Sequence, residues 1–195
     1  MARIAEVTRV TGETSIFCRI DLDGSGIARL ETPIPFMDHM LTLFAKHGFF
    51  DLEIRATGDI EVDYHHTMED LGLTIGQALA EALGDKQGIR RYGSCLLPMD
   101  EALAQIALDL SGRPYLSYCV TPPAPMIRDL DCQLFHEFFQ ALAVKSGMNL
   151  HIDLLKAGEV HHGFEAIFKG FARALDQAVS IDPRITGVMS TKGVL

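Results

Sequence analysis

Two stretches of the sequence decide the fold: HHTMEDLGLTIGQAL at residues 65–79 and HHGFEAIFKGFARAL at residues 161–175. Both begin with His-His-x-x-Glu and end with Ala-Leu, and they start 96 residues apart. Apolar residues recur in each at the three- and four-residue spacing that is typical of an amphipathic helix. The repetition predicts an internal duplication in which each copy contributes a helix with two histidines in its first turn.

A second helix is predicted upstream of each of these stretches. Apolar spacing places one at about residues 36–47, before Gly48, and its counterpart at about 134–146, before Gly147. Glycine just past the last apolar position is a common signal for the end of a helix. An alternating apolar pattern follows each glycine and predicts a strand in each half.

Turn-forming residues further upstream predict one hairpin in each half, at residues 23–26 (DGSG) and 111–114 (SGRP). Each half is therefore expected to run strand-strand-helix-strand-helix, with residues 1–93 as the first half and 94–195 as the second. Mostly antiparallel strands with helices on one face make an α+β fold. We expect two sheets with the helices packed between them, together forming one compact domain.

Composition narrows the class of protein. The chain has 195 residues, 48% of them hydrophobic, which is enough to bury a sizeable core. A net charge of −9 without a Lys/Arg-rich run argues against nucleic-acid binding. No apolar run approaches the ~20 residues of a membrane helix, and the start of the chain does not resemble a signal peptide. We expect a cytoplasmic protein without a membrane partner, whose four scattered cysteines are reduced.

The repeated histidines and glutamates predict metal binding. Imidazole and carboxylate groups are ligands for divalent manganese, iron, zinc or nickel, and within each trio the glutamate lies on the helix surface within reach of both histidines. One more histidine precedes each pair, by 26 and by 25 residues. No cysteine falls in the pattern, which argues against a thiolate zinc site. The candidate metal ligands are His39, His65, His66, Glu69, His136, His161, His162 and Glu165.

The geometry of a helix limits how these ligands can be shared. Adjacent residues point about 100° apart, so the two histidines of a pair diverge and are not expected to bind the same metal ion. The simplest arrangement gives each of two metals one histidine from each pair, one of His39 or His136, and one glutamate. Each site then needs ligands from both halves of the repeat, which need not belong to the same chain.

Scattered cations predict an anion site. Arg91, Arg113, Lys169 and Lys192, with Ser190 beside the last of these, could together hold a phosphate group. No phosphate-binding glycine loop or dinucleotide-binding glycine pattern is present, so a nucleotide is not implied.

The chain resembles the imidazoleglycerol-phosphate dehydratase family along essentially its whole length. The segments that carry the resemblance are FMDHMLTLFAKHGFFDLEIRATGD (36–59), DYHHTMEDLG (63–72), PMDEALA (98–104), DLSGRPY (109–115), HEFF (136–139) and HHGFEAIFKGFARAL (161–175). The resemblance implies a tandem duplication, two manganese ions per site and a place in histidine biosynthesis. It also implies a homo-oligomer of 24 subunits, in which the two halves that share a metal come from different chains.

Site residues follow from the same resemblance. The eight ligands named above match the family's metal ligands. Glu13 and His47 resemble its substrate-contacting glutamate and histidine, and Arg91, Arg113, Lys169, Ser190 and Lys192 resemble its phosphate and substrate contacts. Leu43 stands where the family usually has glutamine, which removes a secondary polar contact.

The implied reaction is the dehydration of D-erythro-imidazole glycerol phosphate to imidazole acetol phosphate, with the substrate imidazolate bound by two divalent metals. Proton transfer is assigned first to Glu13, with Glu69, Glu165 and His47 as the other candidates. Two alternatives use the same ligands: a dinuclear metallohydrolase, which would release inorganic phosphate, and a non-enzymatic metal-storage or scaffold protein, which would have no anion site.

Overall fold

The elements of the computed structural model, which describes residues 2–195, repeat in the same order in both halves. The first half contains β1 (Ile4–Val10), β2 (Thr14–Asp21), β3 (Ala28–Glu31), α1 (Pro35–Gly48), β4 (Asp51–Gly58) and α2 (His65–Leu83). The second contains β5 (Tyr92–Met99), β6 (Ala102–Asp109), β7 (Tyr115–Cys119), two short strands β8 (Met126–Ile127) and β9 (Leu130–Asp131), α3 (Leu134–Ser146), β10 (Asn149–Lys156) and α4 (Val160–Val179). The predicted α+β duplication is confirmed.

The two four-stranded sheets have matching strand orders, β1-β2-β4-β3 and β5-β6-β10-β7. All neighbours pair antiparallel except β3 with β4 and β7 with β10, which pair parallel. Each half therefore places three strands of its four-stranded sheet before its first helix, one more than the sequence predicted, and the second half adds the short pair β8 and β9. The predicted boundary between residues 93 and 94 falls within β5, the first strand of the second sheet.

The two predicted hairpin turns are wrong. The true hairpins turn at residues 11–13, between β1 and β2, and at residues 100–101, between β5 and β6. Residues 23–26 instead lead from β2 to β3, wrapped around Asp51, whose Oδ1 accepts hydrogen bonds from the backbone N–H groups of Ser25 and Ile27. A Cβ on Gly24 would collide with Asp51. The glycine therefore permits a close backbone approach in a crossover between strands that do not pair.

The helices lie between the two sheets, as predicted. Helix α2 packs on β1 and β2, and α4 packs on β5 and β6. Across the halves, α2 packs against α3 and α1 against α4. This pairing brings residues of α1 next to residues of α4, and so joins chemistry from both copies of the repeat. No helix among residues 2–195 combines the length and the apolar character needed to cross a membrane.

Candidate metal centre and anion cavity

Three candidate ligands from the two halves meet where α1 packs on α4. His39 Nε2 lies 2.8 Å from Glu165 Oε1, and His161 Nε2 lies 3.2 Å from His39 Nε2 and 3.3 Å from Glu165 Oε1. His161 and Glu165 are four residues apart on α4 and therefore share one face of the helix. Two imidazole nitrogens and a carboxylate oxygen aimed at one point form a donor set that suits a divalent transition metal.

Glu165 is held as a charged carboxylate at the base of this cluster. Its side chain is almost fully buried, and its second oxygen, Oε2, accepts a hydrogen bond of 2.8 Å from Lys169 Nζ. Burial raises the pKa of Glu165, but the hydrogen bonds from Lys169 and His39 and the charge of Lys169 outweigh it and bring the pKa to about 2. The carboxylate is therefore ionised at neutral pH and available as a ligand.

The second histidine of each pair faces a carboxylate on a neighbouring loop. His66 Nδ1 lies 3.0 Å from Asp59 Oδ2, and His162 Nδ1 lies 3.1 Å from Glu101 Oε1. These hydrogen bonds raise the pKa of both histidines. A carboxylate that holds Nδ1 fixes the orientation of the ring and leaves Nε2 to bind a metal. The adjacent rings diverge as expected, with centroids 6.1 Å apart in the first pair and 6.4 Å in the second.

The remaining candidate ligands do not converge with one another within residues 2–195. The side chain of Glu69 is exposed. His136 lies against Tyr118, with ring centroids 5.4 Å apart, and its Nδ1 is 3.2 Å from Glu137 Oε1. Of the metal-compatible groups found in this range, none contains His65, Glu69 or His136. Neither His65 nor His66 joins the cluster of His39, His161 and Glu165.

A shift of one residue between α1 and α3 explains why His136 does not mirror His39. The buried faces of the two helices correspond at an offset of 98 residues (135 − 37), whereas the two histidines are only 97 apart (136 − 39). His136 therefore sits about 100° around its helix from the position that corresponds to His39. The matched buried pairs are Met37 and Phe135, Met40 and Phe138, Leu41 and Phe139, and Phe44 and Leu142.

A cavity of about 1150 Å³ lies beyond the C-terminal end of α4 and is strongly cationic. The guanidinium of Arg91 lines it, paired with Asp109 at 2.6 and 2.9 Å. Arg113 and Lys192 also line it, and neither has a salt-bridge partner within residues 2–195. The cationic and hydroxyl lining includes Arg90, Arg91, Arg113, Arg184, Ser190 and Lys192, and the carboxylate of Asp182 also lines the cavity, paired with Arg184 at 2.6 Å and with Arg90 at 3.7 Å.

Lys169 and His47 lie away from this cavity. Lys169 donates a hydrogen bond to Glu165. Its charge acts on the imidazole of His47, near the end of α1. Burial, followed by the charges of Lys169 and Arg173, lowers the pKa of His47. The seven predicted contacts are thus divided: four line the cavity, two lie on the side of the metal cluster, and Glu13 lies beside His66. Leu43 packs against the hydrophobic core.

Glu13 lies in the β1–β2 turn, and its exposed carboxylate is next to the first histidine helix. Its Oε2 is 3.8 Å from His66 Nδ1. Sequence reasoning missed the partners that surround the second histidines, Asp59 and Glu101, although both belong to segments that resemble the family (residues 36–59 and 98–104). It also missed Arg184, which no motif marks.

A family model described as imidazoleglycerol-phosphate dehydratase matches residues 32–175, which include all eight candidate metal ligands. The chain belongs to the imidazoleglycerol-phosphate dehydratase family. It is therefore an enzyme, a hydro-lyase of histidine biosynthesis.

Relatives and solved structures of the same family match the chain over most of its length. The imidazoleglycerol-phosphate dehydratases of Shouchella clausii and Geobacter metallireducens are 58% and 55% identical to it, over the whole of both chains in each case. The crystal structure of the Staphylococcus aureus enzyme is similar with a TM-score of 0.83 and 39% identity, covering 92% of this chain and 99% of that one. The Pyrococcus furiosus enzyme, solved in complex with (S)-C348, has a TM-score of 0.84 and 36% identity, covering 97% and 100%.

Proposed function

We propose that this chain dehydrates D-erythro-imidazole glycerol phosphate to imidazole acetol phosphate with two divalent metal ions per site, most simply Mn²⁺. The observation that carries the proposal is the convergence of His39, His161 and Glu165 from two halves of the chain. Family membership supplies the reaction class, and the donor set supplies the metal chemistry.

The donors fit the implied metals. His39, His161 and Glu165 would hold one ion, and the other would be held among the remaining candidate ligands, which are His65, His66, Glu69, His136 and His162. When bound, the metals supply the Lewis acidity that stabilises the imidazolate form of the substrate ring. Asp59 and Glu101 hold the rings of His66 and His162 in place through Nδ1.

Glu13 is the group to which we assign proton transfer. The reaction removes a hydroxyl group from the carbon next to the ring and a proton from the following carbon, and the resulting enol becomes the ketone. Glu13 is exposed beside His66, where a carboxylate can take up and return a proton. Glu165 is a weaker candidate because its pKa of about 2 makes it a poor base and both of its oxygens are engaged. Glu69 and His47 remain the further candidates.

The cationic cavity is the proposed phosphate site. Arg113 and Lys192 offer charges without a salt-bridge partner in the described chain, and Ser190 offers a hydroxyl group. Charge-assisted hydrogen bonds from such groups are the strong ones in phosphate recognition. Arg91, which is paired with Asp109 and the Met189 carbonyl oxygen, is expected to shape the site as well as add its charge.

The distance between the two sites supports assembly from several chains. The metal cluster lies on the first turns of α4, and the cavity begins beyond its last residue. Since a helix rises 1.5 Å per residue, the 14 residues from Glu165 (179 − 165) and the 18 from His161 (179 − 161) to the end of α4 span roughly 21 and 27 Å. The substrate, a five-membered ring on a three-carbon phosphate chain, is far too short to reach from one to the other. We therefore propose a homo-oligomer, with 24 subunits as the expected size, in which different chains supply the metal and phosphate contacts.

The test of the reaction is a product assay on imidazole glycerol phosphate, combined with metal analysis of the purified protein. We expect imidazole acetol phosphate, no released inorganic phosphate and bound divalent metal. Release of phosphate would instead favour the metallohydrolase. If a metal-loaded sample formed neither imidazole acetol phosphate nor inorganic phosphate, the result would favour a storage or scaffold protein.

The phosphate site is tested by Arg113→Ala and Lys192→Ala. Each variant should raise KM about tenfold or more, the effect of losing a charge-assisted contact worth about 1.5–3 kcal/mol, with the metal content unchanged. Arg91→Ala should raise KM likewise. It should also lower the melting temperature, because the Asp109 carboxylate loses its charged partner. An unchanged KM in all three variants would mean that the phosphate group of the substrate does not bind in this cavity.

Assembly is tested by chelation. Light scattering after size-exclusion chromatography should show a mass near 24 subunits with Mn²⁺, smaller species after EDTA, and recovery on addition of Mn²⁺. The reason is that one cluster holds only three ligands from its own chain, so that another chain must complete it. A metal-free protein of unchanged mass would mean that the interfaces do not depend on the metals.

A further inference from the structure

Asp70 is a buried carboxylate that the proposed metal site does not use. It follows Glu69 on α2 and is 6% exposed. Both of its oxygens have partners on the first hairpin: Oδ1 accepts from Arg9 Nε at 2.8 Å, and Oδ2 accepts from Thr14 Oγ1 at 2.5 Å. A buried carboxylate is costly unless it is paired in this way. The pairing ties α2 to the β1–β2 turn.

That turn carries Glu13 and is fixed from several sides. Thr11 Oγ1 accepts hydrogen bonds from the backbone N–H groups of Glu13, at 3.1 Å, and Thr14, at 2.9 Å. The carbonyl oxygen of Glu13 accepts a hydrogen bond from the backbone N–H of Asp59, at 3.1 Å. Thr14, the next residue, is buried, and its hydroxyl group donates a hydrogen bond to Asp70. The backbone on both sides of Glu13 is therefore constrained.

One face of α2 sets the position of the turn at two points. His66 and Asp70 are four residues apart and lie on the same face. His66 stands beside the Glu13 carboxylate, with Nδ1 and Oε2 separated by 3.8 Å, while Asp70 holds the neighbouring Thr14. A shift of the turn relative to α2 would therefore change the distance from Glu13 to His66.

The second half of the chain lacks this arrangement. At the positions that correspond to Asp70 and Thr14, it has Ala166 and Ala102, both buried. The first half thus keeps a buried charge where the same fold is built in the second half with alanine. Stability of the hairpin on the helix alone does not require the charge.

We propose that Asp70 is a positioning residue for Glu13: through Thr14 it fixes the β1–β2 turn so that the Glu13 carboxylate stands beside His66. The inference rests on the proton-transfer role proposed for Glu13. It predicts that loosening the turn lowers the rate of the chemical step and leaves binding of metal and substrate largely intact.

The test is Thr14→Val, which removes the hydroxyl group with little change in volume, in the metal-loaded assembled enzyme. We expect kcat to fall about tenfold, since a misplacement of about 1 Å can cost up to ~100-fold, with KM changed less than about twofold. Thr14→Ser, which keeps the hydroxyl group, should restore most of the kcat. Metal content and assembly mass should match the parent chain in both variants.

The matched control is Thr74→Val, the same substitution at another buried threonine, whose hydroxyl group donates to the Asp70 carbonyl oxygen within α2. It should lower the melting temperature less than Thr14→Val, because no buried carboxylate loses a donor, and it should leave kcat unchanged. Asp70→Asn serves as a second variant if Thr14→Val does not fold. It should also lower kcat more than it changes KM.

Combination with Glu13→Gln separates the inference from the proposal on which it rests. If Thr14 acts through Glu13, the double variant should be no slower than Glu13→Gln alone. A parent-like kcat in Thr14→Val, or a loss that adds fully to that of Glu13→Gln, would overturn the positioning role and leave Glu13 in place. A parent-like kcat in Glu13→Gln would overturn both.

Discussion

The two halves of the chain share one backbone plan but differ in what surrounds the same positions. Helix α2 has Gly72 and Gly76 where α4 has Phe168 and Ala172. A Cβ on Gly72 would collide with the backbone of α3, and one on Gly76 would lie 2.7 Å from the Leu142 carbonyl oxygen. In α4, Phe168 packs among the aromatic rings of α3. At corresponding positions, α2 therefore has glycines that let the α3 backbone come close, whereas α4 has a large aromatic side chain at the first of them.

The glutamates of the two His-His-x-x-Glu motifs also differ in their surroundings. Glu165 is buried and bonded to His39, His161 and Lys169. Glu69 is exposed and has no hydrogen-bond or salt-bridge partner among residues 2–195. Glu165 thus joins a cluster within the chain together with His39 of the first half, whereas Glu69 lies at the surface. The difference fits the proposed assembly, in which the exposed ligands of one chain would meet those of another.

The largest expected effect tests whether both halves contribute to the metals. His66→Ala and His162→Ala should each abolish activity and lower bound metal, although one histidine faces Asp59 and the other Glu101. Metal analysis and the product assay measure both quantities. His151→Ala, at an exposed histidine on β10, is the control and should keep the metal and the activity. Full activity with normal metal in either variant would remove that histidine from the set of metal ligands.

A smaller effect is expected from the packing difference. Gly72→Ala and Gly76→Ala should destabilise the protein by about 1–3 kcal/mol, because the added methyl groups force α3 away. This loss should appear although alanine is the better helix former by about 1 kcal/mol. Chemical denaturation measures it. Gly12→Ala is the control, since its Cβ would meet no atom within 4 Å. Stability equal to that control would mean that the close approach of α2 and α3 is not required.

Sequence reasoning found the duplication because periodicity and motif were both repeated. The helix at residues 65–79 and its partner at 161–175 combine a 3.6-residue apolar period with the same His-His-x-x-Glu start. The turn predicted at residues 23–26 lies between β2 and β3, and the one at 111–114 lies between β6 and β7, so the strand that was missed in each half is its first, β1 or β5. Glycine-rich residues 23–26 signalled a turn, but the pairing that follows depends on Asp51, 25 residues further on.

The sequence named candidate ligands by type and spacing, but not how they group in the folded chain. Types and spacing of His161 and Glu165 were sufficient to place both on one face of α4. That His39 meets them depends on α1 packing against α4, which is a tertiary contact. His136 is shifted by one residue from the position that corresponds to His39, because of the side of α3 that is buried. Apolar residues are so frequent on α3 that the sequence alone does not show which side that is. The cationic cavity combines residues far apart in sequence, so no local pattern could place Arg184 there.

The smallest expected effect concerns how each histidine helix begins. Asp63 and Glu159 each lie two residues before the first histidine of a pair. Asp63 Oδ1 accepts from the His65 N–H at 2.7 Å, whereas Glu159 Oε2 accepts from those of His161, at 2.9 Å, and His162, at 3.3 Å. Carboxylates at this end of a helix satisfy free N–H groups and interact favourably with the helix dipole.

Replacing either residue with alanine should therefore cost about 1 kcal/mol, with Glu159→Ala the larger loss because it frees two N–H groups. In a chain of this size that is a fall of about 2–4 °C in the melting temperature per kcal/mol. Thermal unfolding of the metal-free protein measures it, with Glu61→Ala, at an exposed acid before α2, as the control. Asp63→Asn keeps an acceptor and should recover most of the loss. If both alanine variants melt with the control, the two helices begin without help from these carboxylates, and the shared spacing has no role in stability.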